Sequence, residues 1–316
     1  MLTPAATLDQ AIGFTITQRH ARGRLVRLGP VLDAVLAAHA YPPAIERTLA
    51  SALVLAALLG STLKEEGGQL TLQAQTDNGV ISLLVADYKN GDLRGYAKFD
   101  AERLAELGPD PSLFGLFGKG FLAITFDLAE TGERYQGIVA LEGTSLSECA
   151  HNYFRQSEQI ATAIQLTAEW VAGVWRAGAL MLQHEPGGGG YDRPLGRDAL
   201  PDTPGAGLED QEANEDWRRA VILMSSVSPT ELLDPTLGSD DLLFRLFHGE
   251  SVRVHASRPL AFGCRCSRAR VESTLKALPR DEIKALNIDG RVVVTCQFCN
   301  KSESFGDIDL DAIYAA

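Results

Sequence analysis

The chain has 316 residues, 45% of them apolar and 22% charged, a balance that excludes wholesale disorder and a collagen-like fibre. A net charge of −12 argues against a nucleic-acid footprint spread over the whole surface, and five cysteines are too few for a disulfide scaffold. No run of about 18 apolar residues reads as a membrane span, and the first ten residues lack the basic start and apolar run of a secretory signal, so a reducing cytoplasm is the expected compartment.

Short strands are expected at 12–18 and 24–28, around an Arg/Gly turn. Residues 43–59 read as a helix: Pro43 suits a first turn, Ala and Leu dominate after it, and Gly60 is a stop. Residues 69–99 alternate apolar with polar and are punctuated by Asp77-Asn78-Gly79 and Asn90-Gly91, the pattern of an antiparallel meander. A second hairpin is expected from 120–127 and 134–141, a helix over 145–157, and two more strands within 159–183, broken near Gly173. These elements make one unit, residues 1–185, a mixed β-rich domain. Composition changes at Glu185, where a Gly/Pro-rich run with almost no apolar content begins. A linker over 186–255 follows, with a helix at 208–226 and two short helices within 229–248, the second capped by the Ser239-Asp240-Asp241 cluster. Glu209, Asp210, Glu212, Glu215 and Asp216 crowd the first half of the 208–226 helix, so it needs a surface to lie on. Its expected apolar face is Val221, Ile222, Leu223 and Met224. The last unit, 256–316, is small. Residues 251–301 hold ten Lys/Arg against four Asp/Glu, a net +6, which leaves −18 on the rest of the chain. The fold class is therefore α+β: a large mixed N-terminal domain, a helical linker and a small C-terminal metal-binding domain.

Four of the five cysteines carry the chemistry. Cys264-Arg-Cys266 and Cys296-Gln-Phe-Cys299 are separated by 29 residues, enough for two short helices (267–278 and 280–286) and a strand (291–295). Two close pairs joined by a folded segment supply the four thiolates of a tetrahedral structural zinc site. One zinc ion is thus the expected cofactor, with Cys264, Cys266, Cys296 and Cys299 as ligands. Four thiolates leave no open position for water or substrate, so the chain is not expected to be an enzyme. The Cys-x-Cys spacing adds a hint of redox chemistry, because a disulfide closing so small a ring is strained and easily reduced. Arg265, Arg268, Arg270 and Arg291 lie in or beside the cysteine segments. They either stabilise the thiolates or merely neutralise the site.

With these residues in view, nearly the whole chain resembles the redox-regulated heat-shock holdases, the thirty-three-kilodalton chaperonin family. Beyond the cysteine pattern, the resemblance rests on His151–Ile160, Glu215–Val227 and the leucine-rich stretch Glu231–His248. It implies that the reduced protein, with zinc on the four thiolates, is a poor chaperone. Oxidation then joins Cys264 to Cys266 and Cys296 to Cys299, zinc is released, and the zinc domain and linker unfold. The opened protein binds unfolding clients without ATP and can dimerise. No nucleic-acid or membrane partner is implied.

Other features read more plainly. Cys149 is a small core residue, and His151, two positions on, does not share its helical face. His184 and His248 sit at element ends, and His255 is left out of the metal set. Phe114, Phe117 and Phe121 are read as a loop packed on the core. The rival function is a nucleic-acid-binding protein with a basic zinc ribbon, whose arginine-rich helix after Cys266 would contact phosphates.

Overall fold

Alternating apolar residues pair β1 (Gln10–Ile16) with β2 (Ala21–Leu28), through a short 3-10 turn closed by His20 at φ +43°. Two helices follow, α1 (Pro30–Leu36) and α2 (Pro43–Gly60), each with Pro in its first turn, where the missing N–H costs nothing. The meander is β3 (Gln69–Thr76), β4 (Ile81–Lys89) and β5 (Asp92–Phe99). Its second turn is the expected Asn90-Gly91 pair, with φ +52° and +93°. Next come α3 (Ala101–Glu106), capped by Asp100, and α4 (Leu113–Phe117), capped by Ser112. The hairpin β6 (Gly120–Asp127) and β7 (Arg134–Ala140) is as expected. The helix α5 (Leu146–Tyr153) stops earlier than its pattern predicts and continues as a wider π turn through Glu158. Strands β8 (Thr162–Val171) and β9 (Val174–His184) turn at Ala172-Gly173.

The computed structural model describes residues 8–63, 66–158, 160–184 and 208–315, with the side chains of 208–214 outside the described set. The Gly/Pro-rich run expected over 186–207 lies outside the described residues. Beyond it come α6 (Leu208–Ser225), α7 (Pro229–Leu233) and α8 (Ser239–Phe247). A full capping box opens α7, with Ser228 and Glu231 satisfying each other's backbone amides. Gly238, not the acidic cluster, occupies the cap position of α8, and Ser239 is its buried first residue. Strand β10 (Val252–Pro259) pairs antiparallel with β1, and β11 (Ala261–Phe262) pairs parallel with β5. The division expected at 255/256 therefore falls inside a strand of the large sheet. The remaining elements are α9 (Arg268–Lys276), α10 (Arg280–Ala285), β12 (Arg291–Thr295), β13 (Ser302–Gly306) and α11 (Asp307–Ala315).

The strands form a five-stranded sheet ordered β10-β1-β2-β9-β8, a six-stranded sheet ordered β11-β5-β4-β3-β6-β7, and the hairpin β12-β13. Helix α2 runs between the two large sheets. It is long and apolar enough to cross a membrane, but thirteen of its eighteen residues are buried in this core. The other face of the five-stranded sheet is apolar as well. Ile12, Phe14, Ile16, Leu25, Leu180 and Leu182 project from it and are covered by α6, α7 and α8. Among the described side chains of α6, the buried ones are Ala220 and Met224, continued by Val227. Ile222, expected on this face, is 67% exposed, because 220, 224 and 227 follow the helical repeat and 222 points away from it. The C-terminal module has its own small core: Leu275, Ile283, Val292, Phe305 and Leu310.

Candidate metal centre

The two cysteine pairs sit on different local structures. Cys264 and Cys266 lie in the extended segment after β11, which ends where Ser267 caps α9. Gly263 precedes them because the chain passes so close to β5 that an added Cβ would lie 2.4 Å from Asp92. Cys296 directly follows β12, and Cys299 lies in the turn to β13. That turn is closed by the Cys296 N–H donating to the Lys301 carbonyl (2.9 Å) and the Asn300 N–H to the Cys296 carbonyl (2.8 Å), with Asn300 at φ +57°.

The fold brings all four expected ligands together. Their sulfurs lie within 4.8 Å of one another, each half-buried and each a free thiol. Cys264 Sγ is 3.4 Å from Cys266 and 3.7 Å from Cys296, and Cys266 Sγ is 3.3 Å from Cys299. Thiolates at about 2.3 Å from one zinc ion in a tetrahedron stand about 3.8 Å apart, so donor type, number and spacing fit that ion. Burial pushes the Cys264 thiol up, but the Cys266 amide and the neighbouring thiols outweigh burial and bring it down to about 7. Crowding acts the other way on Cys266 and Cys299, which burial and their neighbours hold above the ordinary thiol value. A cation among the sulfurs relieves that crowding by favouring every thiolate at once.

Both cysteine segments are docked on the large domain through their spacer residues. Arg265, between Cys264 and Cys266, donates to Asp87 Oδ2 (2.5 Å) and Gln69 Oε1 (2.9 Å). Asp87, on β4, is 3% exposed and also accepts from Arg94 Nε at 2.8 Å. Arg94 in turn lies 3.9 Å over the ring of Phe298, a spacer of the second pair. The other spacer, Gln297, offers its carbonyl to His39 Nε2 at 2.8 Å. The sequence pointed to Arg265 but not to Asp87, Arg94, Gln69 or His39. These stand more than 170 residues away, and no local pattern marks them.

The remaining arginines serve the module. Arg268 pairs with Glu272, Glu303 and Asp309 and lies 4.4 Å from the Phe305 ring centroid. Arg270 donates to the Arg265 carbonyl, and Arg291 to Ser304. The residues set aside from the sequence stay apart from the sulfurs. Cys149 is fully buried, its thiol donates to the Glu142 carbonyl, and burial pushes it up to about 11. His151 Nε2 accepts the Ile164 amide at 2.6 Å, and burial lowers its pKa. His255 meets Thr15, and His248 Nδ1 lies 3.3 Å from the Arg245 carbonyl. The phenylalanine stretch is not all core: Phe117 is buried within α4, whereas Phe114 is 64% exposed.

A second ionic cluster holds the linker. Glu250, whose carboxylate is almost fully buried, accepts from Arg19 Nε at 2.5 Å and from Arg219 Nε at 2.6 Å, and Arg19 also pairs with Asp216 on α6. Arg27 is buried under α7 and α8 and donates to the carbonyls of Leu237 (2.5 Å) and Glu231 (2.8 Å).

Residues 9–306 match the family model described as Hsp33 protein. The chain is 38% identical over 305 residues to the 33 kDa chaperonin of Ectopseudomonas mendocina, covering 96% of this chain and 94% of that one. It is 35% identical over 302 residues to the 33 kDa chaperonin of Caulobacter vibrioides, covering 93% of each. Its fold is similar to the crystal structure of the 33 kDa chaperonin of Thermotoga maritima, with a TM-score of 0.76 at 24% identity over 97% of this chain and 98% of that one.

Proposed function

The chain belongs to the Hsp33 family, and from that premise we propose that it is an ATP-independent holdase of the reducing cytoplasm, restrained while reduced and released by oxidation. One observation carries the reading. The linker helices lie on an apolar sheet face, and the strand that leaves them leads within a few residues to the clustered thiols.

Cys264, Cys266, Cys296 and Cys299 would hold one zinc ion, which when bound supplies folding free energy to a module too small to fold on its own core. The chain's own part follows from its contacts. Peroxide or hypochlorite takes two electrons from each pair of thiolates and leaves one disulfide, with Cys264 joined to Cys266 and Cys296 to Cys299. A disulfide sulfur is no longer an anionic ligand, so the four-sulfur set is lost. Losing the set frees the spacers Arg265, Gln297 and Phe298 from the large domain and removes the support under β10 and the linker. As α6 to α8 lift, the face bearing Phe14, Leu25 and Leu182 is uncovered. Exposed apolar surface is what binds an unfolding client, and two uncovered copies can pair as a homodimer.

The rival reading, a phosphate-binding zinc ribbon, has less support. Arg265 and Arg268 are already engaged by Asp87, Glu272, Glu303 and Asp309.

The test follows zinc release and client aggregation in the same samples. Reduced, zinc-loaded protein is treated with peroxide at a heat-shock temperature or with hypochlorite. Zinc release, two disulfides by peptide mapping and suppressed aggregation of a thermally unfolding client are expected together. Retained zinc with unchanged activity would overturn the reading, and nucleic-acid binding would be measured next.

A further inference from the structure

A cleft of about 480 Å³ lies between the two large sheets where α2 ends, within the range of small-molecule sites. None of the four clustered cysteines lines it, and the holdase reading assigns it no ligand. Its apolar lining comes from Leu59, Leu63, Phe126, Phe154 and Met181, the last directly across from Arg24 in the five-stranded sheet. The same sheet contributes three arginines to the cleft: Arg22 and Arg24 from β2, and Arg258 from β10.

Arg24 is the unusual member. Its Nε is fully buried and has no hydrogen-bond partner. Burial, with Arg258 and Arg22 nearby, pushes the guanidinium down to about 10, and no carboxylate acts on it in compensation. Arg258 makes only a long contact, 3.4 Å, to the Leu63 carbonyl. Glu158, the one acid among the described residues of the cleft wall, spends an oxygen on the hydroxyls of Tyr135 and Tyr153. A buried guanidinium without an anion is costly and is normally paired. A cleft that holds the Arg24 guanidinium without a paired carboxylate beside an apolar body is complementary to a ligand with an anionic head and an apolar tail.

We propose that this cleft binds an anionic amphiphile, a carboxylate or phosphate head on Arg24 and Arg258 with its alkyl chain along Leu59, Phe126, Phe154 and Met181. A fork of guanidinium donors matches either head, and the apolar wall contributes through the area it removes from water.

The reduced, zinc-loaded full chain is titrated calorimetrically with dodecanoate and with dodecyl phosphate, below the concentrations at which either forms micelles or alters the far-ultraviolet dichroism. Inorganic phosphate and dodecyltrimethylammonium are titrated alongside. Saturable one-to-one binding of dodecanoate, dodecyl phosphate or both is expected, the pair distinguishing the head. Inorganic phosphate should bind at least tenfold more weakly, and the cationic amphiphile should not bind. Arg24→Met should weaken the better amphiphile at least tenfold while leaving the thermal midpoint unchanged or higher, since it removes an unpaired buried charge. A merely structural Arg24 would instead lower the midpoint. Arg258→Gln, on an exposed strand position, gives a second reading should Arg24→Met fold poorly, with at least threefold weaker binding. No saturable binding of either anionic amphiphile, equal binding of the cationic one, or full affinity in both variants would overturn the proposal.

Discussion

The large domain and the cysteine module meet the same physical requirement by different means. The large domain closes two sheets over α2, and its interior is a continuous set of buried aliphatic and aromatic side chains drawn from almost every element between Ala11 and Met181. The module gathers five buried apolar side chains from three short helices and a hairpin. An interior of the first kind persists whatever the ligand state. One of the second kind depends on whatever ties its loops together, and the four convergent thiols are placed to be that tie. On the proposed reading, conditional stability is confined to one end of the chain, and the linker lies between the two regimes.

The largest effect should come from breaking the tie alone. Cys296→Ser or Cys299→Ser removes one of four ligands from a centre whose metal is worth about 10–16 kcal/mol of folding in small zinc domains. Hydrogen exchange read by mass spectrometry should show protection lost throughout 264–315 and retained in β3, β4 and α2. Loss of protection in both regions would mean that the two are one cooperative unit. Unchanged protection and zinc affinity would mean that the four sulfurs are not the centre.

The next substitution separates docking from metal binding. Asp87→Asn leaves Arg265 and Arg94 without their shared buried carboxylate, and breaking one side of such a pair costs about 3–5 kcal/mol. Zinc should stay bound, since no ligand changes. Limited proteolysis should cut the segment around 259–268 faster than in wild type, and oxidation should need less oxidant. A variant that resists protease as wild type does would show that the spacer contacts do not hold the module.

Between the two regions, the covering of the sheet face can be probed at one side chain. Met224→Ala removes a buried residue of α6 and should cost about 2–5 kcal/mol by urea denaturation. Ile222→Ser, two residues earlier and exposed, should change stability by no more than about 0.5 kcal/mol. The reverse order would restore the apolar face expected from sequence.

That face, right at Met224 and wrong at Ile222, shows what the sequence could and could not specify. The meander was legible because Asn90-Gly91 takes the two positive φ values that few other pairs adopt cheaply, and α2 because thirteen of its residues face a core on all sides. The cysteine set was legible because spacing alone limits which sulfurs can share one centre. Residues 221–224 are four consecutive apolar side chains, and composition cannot say which of them a partner will cover; only packing on Phe14, Leu25 and Leu182 selects the 220, 224, 227 stripe. Strand β10 was missed for a related reason. Its alternation of Val252 and Val254 fades into Ser257 and Arg258, and its identity as a strand comes from pairing with β1, some 240 residues away. Asp87 was invisible in the same sense: an aspartate in an alternating strand becomes a docking site only when Arg265 is folded against it.

The last substitution tests how the linker is fastened, and the size of its effect depends on pH. Burial pushes the Glu250 carboxyl up, but Arg19 and Arg219 outweigh burial, so its folded pKa lies below the ordinary carboxylate value. A carboxylate lowered on folding contributes stability that is complete above its unfolded pKa, about 4.3, and is lost as pH falls through the folded value. Glu250→Gln should therefore lower stability by about 1.5–3 kcal/mol at pH 7, the range for hydrogen bonds to charged groups. That gap should close as pH falls below about 4, where wild type has also lost the charge. Acid removes thiolate ligands from both proteins alike, so the difference between their urea midpoints isolates Glu250. A gap that persisted at pH 3 would mean that the glutamine fails by shape rather than by charge, and the ionic cluster would then not be what holds α6 against the turn at Arg19.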